Sequence, residues 1–164
     1  MLIRAIDLFC GAGGSSWGAA QAGIEVVCGI DAWGKATEVY SANFTNKGKT
    51  LFISKDTKPR KILESKSFDL ALISPECTNH TCARGSRPID EESRLTAKHS
   101  LQFLKTFKPR WAIIENVVQM RTWDKYKEIL DYLTLELKYR ITEQVLDAAD
   151  FGVPQDRKRF FIVG

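Results

Sequence analysis

A chain of 164 residues suits one domain with a real core and is short for two of ordinary size. At 44% hydrophobic and 27% charged it has the composition of an ordinary globular protein, not of a disordered polymer or a bundle of membrane spans, and its net charge of +4 permits a polyanionic partner without requiring one. Cysteines at 10, 28, 77 and 82, irregularly spaced and with no leader-like segment ahead of them, argue against a disulfide-stapled secreted scaffold and for reduced thiols in the cytoplasm.

Residues 3–9 read as a buried strand, followed by Cys10-Gly-Ala-Gly-Gly-Ser15. Gly11, Gly13 and Gly14 let the backbone turn tightly and approach a ligand, and Ser15 is placed to cap a helix that closes near Gly23. Strand, glycine turn and helix form the layout of a nucleotide site. The spacing is not that of a dinucleotide fold and lacks a phosphate-loop lysine, so a plain tight connection is the other reading. Residues 25–30 read as a second strand ending at Asp31, which lies 20 residues after Gly11. That separation suits a carboxylate that binds ribose hydroxyls, although an acidic cap for a helix over residues 32–44 explains it equally. The helix places Trp33, Ala36, Tyr40 and Phe44 on one face, as core. Residues 51–54 read as a short third strand before Asp56, which is either an adenine contact or a turn residue.

Residues 57–67 are a polar connection with at most a helical turn. The apolar run over residues 68–74 is a buried strand stopped by Pro75, with Cys77 just beyond it. An open α/β sheet places its chemistry in that crevice, while inert packing is the alternative for the thiol. Residues 78–93 lack periodicity and carry Arg84 and Arg87; loops of that length go with function or disorder. Residues 94–107 read as a helix with Leu101, Leu104 and Phe107 inward, residues 111–114 as a strand ending at Glu115, and residues 123–137 as a helix with Tyr126, Leu130, Leu133 and Leu137 inward. A strand over 139–146, a loop over 148–158 and a last apolar strand over 159–164 complete the chain. The alternation predicts an α/β fold with a doubly wound, mostly parallel sheet that gathers Asp31, Asp56, Cys77 and Glu115 on one edge. Cys77, His80 and Cys82 lack a fourth ligand, so no metal is expected. Cys10 and Cys28 read as core, and His99 as solvated.

The segments Asp7-Leu-Phe-Cys-Gly-Ala-Gly-Gly14, Pro75-Glu-Cys77, Glu115-Asn-Val117 and Gln155-Asp-Arg157-Lys-Arg159, with Asp31 and Asp56 between, follow one another in the order of the C5-cytosine DNA methyltransferases. The chain resembles that family over nearly its whole length. The resemblance implies the Rossmann-like fold of methyltransferases that use S-adenosylmethionine, in one domain, with a cofactor half (residues 1–67) and a nucleophile and cytosine half (residues 68–164). It implies cofactor contacts from Phe9, Gly11, Gly13, Gly14, Asp31, Asp56 and Pro75. It assigns catalysis to Cys77, Glu115, Arg157 and Arg159, and substrate contacts to Thr81, Arg84, Asn116 and Gln155. In that chemistry the Cys77 thiolate attacks C6 of a flipped cytosine, a protonated Glu115 donates to N3, and Arg159 holds O2.

Departures from the family pattern are specific. Glu76 replaces the proline before the nucleophile, Thr78 a glutamine after it, and Ala32 a tryptophan that stacks on adenine. Trp33 is one position off and is expected to point elsewhere. The target-recognition region and the two later motifs have no counterpart. The resemblance therefore implies a catalytic half, truncated after its Gln-x-Arg-x-Arg strand. It would act on DNA with a second chain that carries recognition, or by self-association, at the nucleoid of a bacterial or phage-infected cytoplasm. RNA-directed relatives use the same motifs, and a catalytically silent cofactor- or partner-binding module is the remaining alternative.

Overall fold

The computed structural model describes residues 2–45, 47–63, 67–76 and 91–164, with side chains in the last stretch from residue 95. Its elements in chain order are β1 (Arg4–Leu8), α1 (Gly14–Gln21), β2 (Glu25–Asp31), α2 (Gly34–Asn43), β3 (Gly48–Thr50), α3 (Pro59–Leu63), β4 (Leu70–Ile73), α4 (Glu91–Phe107), β5 (Trp111–Asn116), α5 (Tyr126–Asp131), β6 (Thr142–Asp147) and β7 (Lys158–Val163). The strands form one sheet in the order β3-β2-β1-β4-β5-β7-β6. The five strands from β3 to β5 are parallel, and β7 inserts antiparallel between β5 and β6. The expected mostly parallel, doubly wound sheet is what forms, and its carboxyl ends share one rim.

Side-chain alternation divides the sheet into two unequal faces. Ile6, Leu8, Ala71, Ile73, Ala112 and Ile114 point into the larger core, with Leu101, Phe103 and Leu104 of α4 and Ile129 of α5. Ala5, Leu70 and Leu72 point the other way, onto Ala19 of α1. α1 lies over β1 and β2 and α2 over β2 and β3, so the described residues leave β4, β5 and β7 open on this face. The result is a groove of about 700 Å³ floored by Leu70, Leu72, Ile113 and Phe161. Its wall is the small-residue side of α1, with Gly18, Ala19 and Ala22.

Several elements differ from expectation. The third strand is Gly48–Thr50, earlier than residues 51–54, because β2 ends at Asp31, the register partner of Thr50. Trp33 is not core but 66% exposed; it is the N-cap of α2, in extended backbone, so helical spacing does not govern where it points. β5 runs on to Asn116, which makes Glu115 a strand residue rather than the one after it. The helix expected over residues 123–137 is α5 followed by a π-turn (Tyr132–Glu136), with Ile129 and Leu133 most buried. His99 is half-buried, and its Nδ1 is enclosed without a partner among the described residues.

Candidate active site at the carboxyl rim of the sheet

The glycine turn is held from three directions. Phe9 leaves β1 at φ 64, a left-handed conformation uncommon outside glycine, and Phe9 N–H and Cys10 N–H both donate to Ile30 O. Gly11 N–H donates to Asp31 Oδ2 at 2.9 Å, while Asp31 Oδ1 accepts from Trp33 N–H at 2.8 Å. Asp31 is therefore not the cap of α2; it ties the glycine turn to the end of β2. Gly13, at φ 105, is the N-cap of α1, and a Cβ there would sit inside the Phe44 ring. Ser15 does not cap the helix as expected, because α1 begins one residue ahead of it.

The first turn of α1 is tied to the sheet instead. Asp7 of β1 is fully buried and accepts at 2.6 Å from Ser16 O–H in the first turn of α1. Since the Ser16 proton is used on Asp7, the Tyr40 hydroxyl donates to Ser16 Oγ at 2.8 Å. Among the described residues Asp7 Oδ1 has no partner. Burial pushes the Asp7 carboxyl up to about 7 against the Ser16 bond, with Asp31 adding like charge. Sequence reading passed over this residue, although an acid inside an apolar strand (Ala-Ile-Asp-Leu-Phe) was the available signal.

A cavity of about 420 Å³ lies between the ends of β1, β2 and β4. Phe9, Asp31, Trp33, Phe52, Ser74 and Glu76 are on its wall. Trp33 thus faces this cavity, contrary to expectation: the extended backbone at 33 compensates for the one-residue offset. Gly11 and Gly14 instead line the 700 Å³ groove, with Ser74 common to both spaces. Asp56 is away from either lining, in an exposed turn where its N–H donates to Ser54 Oγ.

On the other side of β4, Glu115 of β5 meets Arg159 of β7 with Oε1 and Nε 3.0 Å apart, both side chains mostly enclosed. Burial raises the Glu115 carboxyl above its ordinary range, and the neighbouring guanidiniums of Arg159 and Arg157 only partly offset it. Arg157 is exposed, lines the groove beside Glu115 and is anchored by its N–H to Asp147 Oδ1 at 2.9 Å. Asn116 does not present its side chain to a substrate. It is 2% exposed and spends its amide internally, Nδ2 donating to Pro75 O and Oδ1 accepting from Val117 N–H. It clips the segment after β4 to the end of β5. Pro75 takes part through that carbonyl and is not on the wall of either cavity. Gln155 is exposed in the loop before β7.

Cys77, Thr81 and Arg84 lie outside the described residues, as do His80 and Cys82. Among the described residues no group of three His, Cys, Asp or Glu is arranged to hold a metal. Cys10 and Cys28 are buried, as expected.

A putative DNA modification methyltransferase encoded within an Escherichia coli prophage superposes with a TM-score of 0.82 at 24% identity, over 99% of this chain and 46% of that one. The architecture is accordingly the Rossmann-like methyltransferase fold. The family model of C-5 cytosine-specific DNA methylases matches residues 3–164, and the chain belongs to that family. It is 34% identical to the type II methyltransferase M.HgiDI of Herpetosiphon aurantiacus, over 99% of this chain and 52% of the relative. With M.HindV of Haemophilus influenzae it shares 29% identity, over 99% and 53%. The chain thus spans about half the length of these relatives.

Proposed function

We propose that the chain is the catalytic half of a DNA cytosine-C5 methyltransferase that uses S-adenosylmethionine and acts on a flipped cytosine through a covalent bond from Cys77. The Glu115–Arg159 pair carries the reading: an acid biased toward its protonated form by burial sits beside a cation, at adjacent strand ends. That pair matches the cytosine ring edge, where N3 accepts from an acid and O2 from a guanidinium.

The residues at the rim fit the cofactor. Phe9, Trp33 and Phe52 offer apolar and aromatic walls for a flat base. Asp31 keeps a free lone pair on each oxygen after accepting two backbone bonds, enough for ribose hydroxyls, and Glu76 adds negative charge that suits a sulfonium. When bound, the cofactor supplies a methyl electrophile. Cys77 Sγ, as the thiolate, adds to C6 and puts negative charge into the ring; Glu115 donates to N3 and stabilises that charge. Arg159 exchanges its Glu115 contact for O2, and the positive corner it makes with Arg157 favours the thiolate. Once C5 carries the methyl group, its proton is lost to a solvent base and the C6–Sγ bond breaks, which returns the thiolate. Asn116 serves this chemistry indirectly, by fixing the Pro75 carbonyl two residues ahead of Cys77.

Recognition and completion of the fold fall to a further segment, on the same chain or a second one. The groove over β4, β5 and β7 is the surface on which it packs: apolar, unfilled by the described residues, and walled by residues small enough for close approach. The length of the relatives, about twice this chain, supports it.

The test is trapping on duplex DNA containing 5-fluorocytosine with labelled cofactor, using this chain with and without the remainder of its protein. We expect a covalent adduct with the completed protein that Cys77→Ser abolishes and Cys82→Ser leaves intact. A tRNA substrate that traps in place of DNA moves the reading to the RNA-directed relatives. An adduct that survives Cys77→Ser sinks it.

A further inference from the structure

The positive charge of this chain is gathered at one place. Residues 47–61 hold six basic residues (Lys47, Lys49, Lys55, Lys58, Arg60 and Lys61) against the single acid Asp56, a net +5 over fifteen residues. The whole chain nets +4, so the other 149 residues together net −1. The stretch runs from β3, the outer strand of the sheet, to α3, which packs against α4.

Two of the six are occupied. Lys47 Nζ donates to Val26 O at 2.8 Å beside Glu25, and Lys49 Nζ donates to Ile62 O at 2.6 Å. Lys55, Lys58, Arg60 and Lys61 are exposed and have no ion pair among the described residues. Their placement follows from how α3 is anchored. Pro59 and Leu63 are buried on one side of the turn, so at about 100° per residue positions 58, 60 and 61 fan over the opposite side. Lys55 sits at the turn ahead of them and lines a cavity of about 240 Å³ with Lys98, His99 and Gln102. Lys98 there is neutralised by Glu128 at 2.7 Å.

β3 is parallel to β2, β1 and β4, so the chain leaves β3 at the rim that carries Asp31 and Glu115; Phe52 and Ile53 line the 420 Å³ cavity there, and Lys55 follows two residues later. β3 stands three strands from β4, about 14 Å at the usual strand spacing. A duplex carries one phosphate per roughly 1.7 Å of axis, so the gap corresponds to about eight phosphates, within reach of a duplex engaged at the end of β4. Acidic proteins are a poorer match, because the strip is a row of exposed cations without an apolar centre.

We propose that the segment from β3 through α3 is a docking strip for the phosphate backbone of duplex DNA beside the cytosine being modified. The inference rests on the DNA-directed reading above and goes beyond it in assigning the contact to Lys55, Lys58, Arg60 and Lys61. Such contacts supply affinity and register rather than sequence readout.

The experiment compares the wild-type chain with the quadruple alanine variant of those four residues on a fluorescent 30-base-pair duplex at 50, 100 and 200 mM KCl. Circular dichroism confirms that this all-surface variant is folded, and Arg157→Ala serves as the crevice control. Each phosphate contact contributes about 0.9 to the slope of log affinity against log salt, so losing four lowers the slope by about 3.6. Over the fourfold salt range that amounts to roughly a hundredfold difference in salt sensitivity, and we expect most of it. A slope change below one overturns the strip while leaving the crevice reading intact, provided Arg157→Ala still weakens binding. Wild-type protein that does not bind DNA even at 50 mM overturns both. Competition by polyglutamate as effective as by duplex of equal charge overturns the assignment to DNA.

Discussion

Replacing Asp7 with Asn removes a carboxylate that is fully buried, accepts from Ser16 O–H in the first turn of α1 and, among the described residues, has one oxygen without a partner. Its carboxyl stands at about 7 in the fold against an ordinary 3.8. The raised value sets the sign: between those two points the folded chain holds a proton that the unfolded chain has lost, so stability falls as pH rises. At about 1.4 kcal/mol per pH unit, the full window of about three units corresponds to about 4 kcal/mol, and the part between pH 5 and 7 to about 3 kcal/mol. Above the folded value the loss is complete and the curve is flat. The assay is urea denaturation of wild-type protein and Asp7→Asn at half-unit steps from pH 5 to 8, read as the difference between the two. Taking that difference cancels Glu115, which is also raised by burial and contributes with the same sign. The expected result is that wild type loses about 3 kcal/mol relative to the variant on going from pH 5 to 8. A difference that stays constant within about 0.5 kcal/mol refutes the argument, because it means that Asp7 is ionised, or protonated, throughout.

Gly13→Ala places a Cβ in the Phe44 ring at a φ of 105, and it should cost about 2 kcal/mol in urea denaturation and weaken cofactor binding at least tenfold by calorimetry. Trp33→Ala should weaken cofactor binding about tenfold, and Trp33→Phe should recover most of it; ligand quenching of tryptophan fluorescence should vanish in both. Glu115→Gln should lower methyl transfer by about a hundredfold or more with little change in cofactor affinity. Wild-type activity should also fall as pH rises through the raised value of Glu115 if, as proposed, its acid form is the donor, and an activity that climbs steadily to pH 9 contradicts that role.

The order of motifs was legible because each lies at a junction between an apolar run and a turn, a local property of the chain. Cys10 and Cys28 as core, the parallel order of the early strands and the rim position of Asp31 and Glu115 all follow from such local reading. Residues whose place depends on partners far away in sequence were not legible. Asn116 reads as a substrate contact until Pro75, 41 residues away, is seen to take its amide. Trp33 reads as core until α2 is found to begin one residue beyond it. Ser15 reads as a cap because its type is right, yet α1 begins at Gly14 and its first turn is tied to Asp7 of β1 through the Ser16 hydroxyl. The open groove depends on which strands α1 leaves uncovered, which no periodicity encodes.

The insertion of β7 between β5 and β6 has a consequence for how the chain acquires its shape. Among the described residues β6 pairs with β7 alone, and β7 is the later of the two in sequence although it lies inside β6 in the sheet. During synthesis β6 emerges with nothing to join, while the outer edge of β5 stays open until residues 158–163 have been made. Arg159 is delivered to Glu115 by that same strand, so the Glu115–Arg159 pair and the last closure of the sheet form in one event. A nascent chain stalled ahead of residue 158 should display an unpaired parallel edge, prone to pairing with other chains and open to chaperones, with the glycine turn already formed.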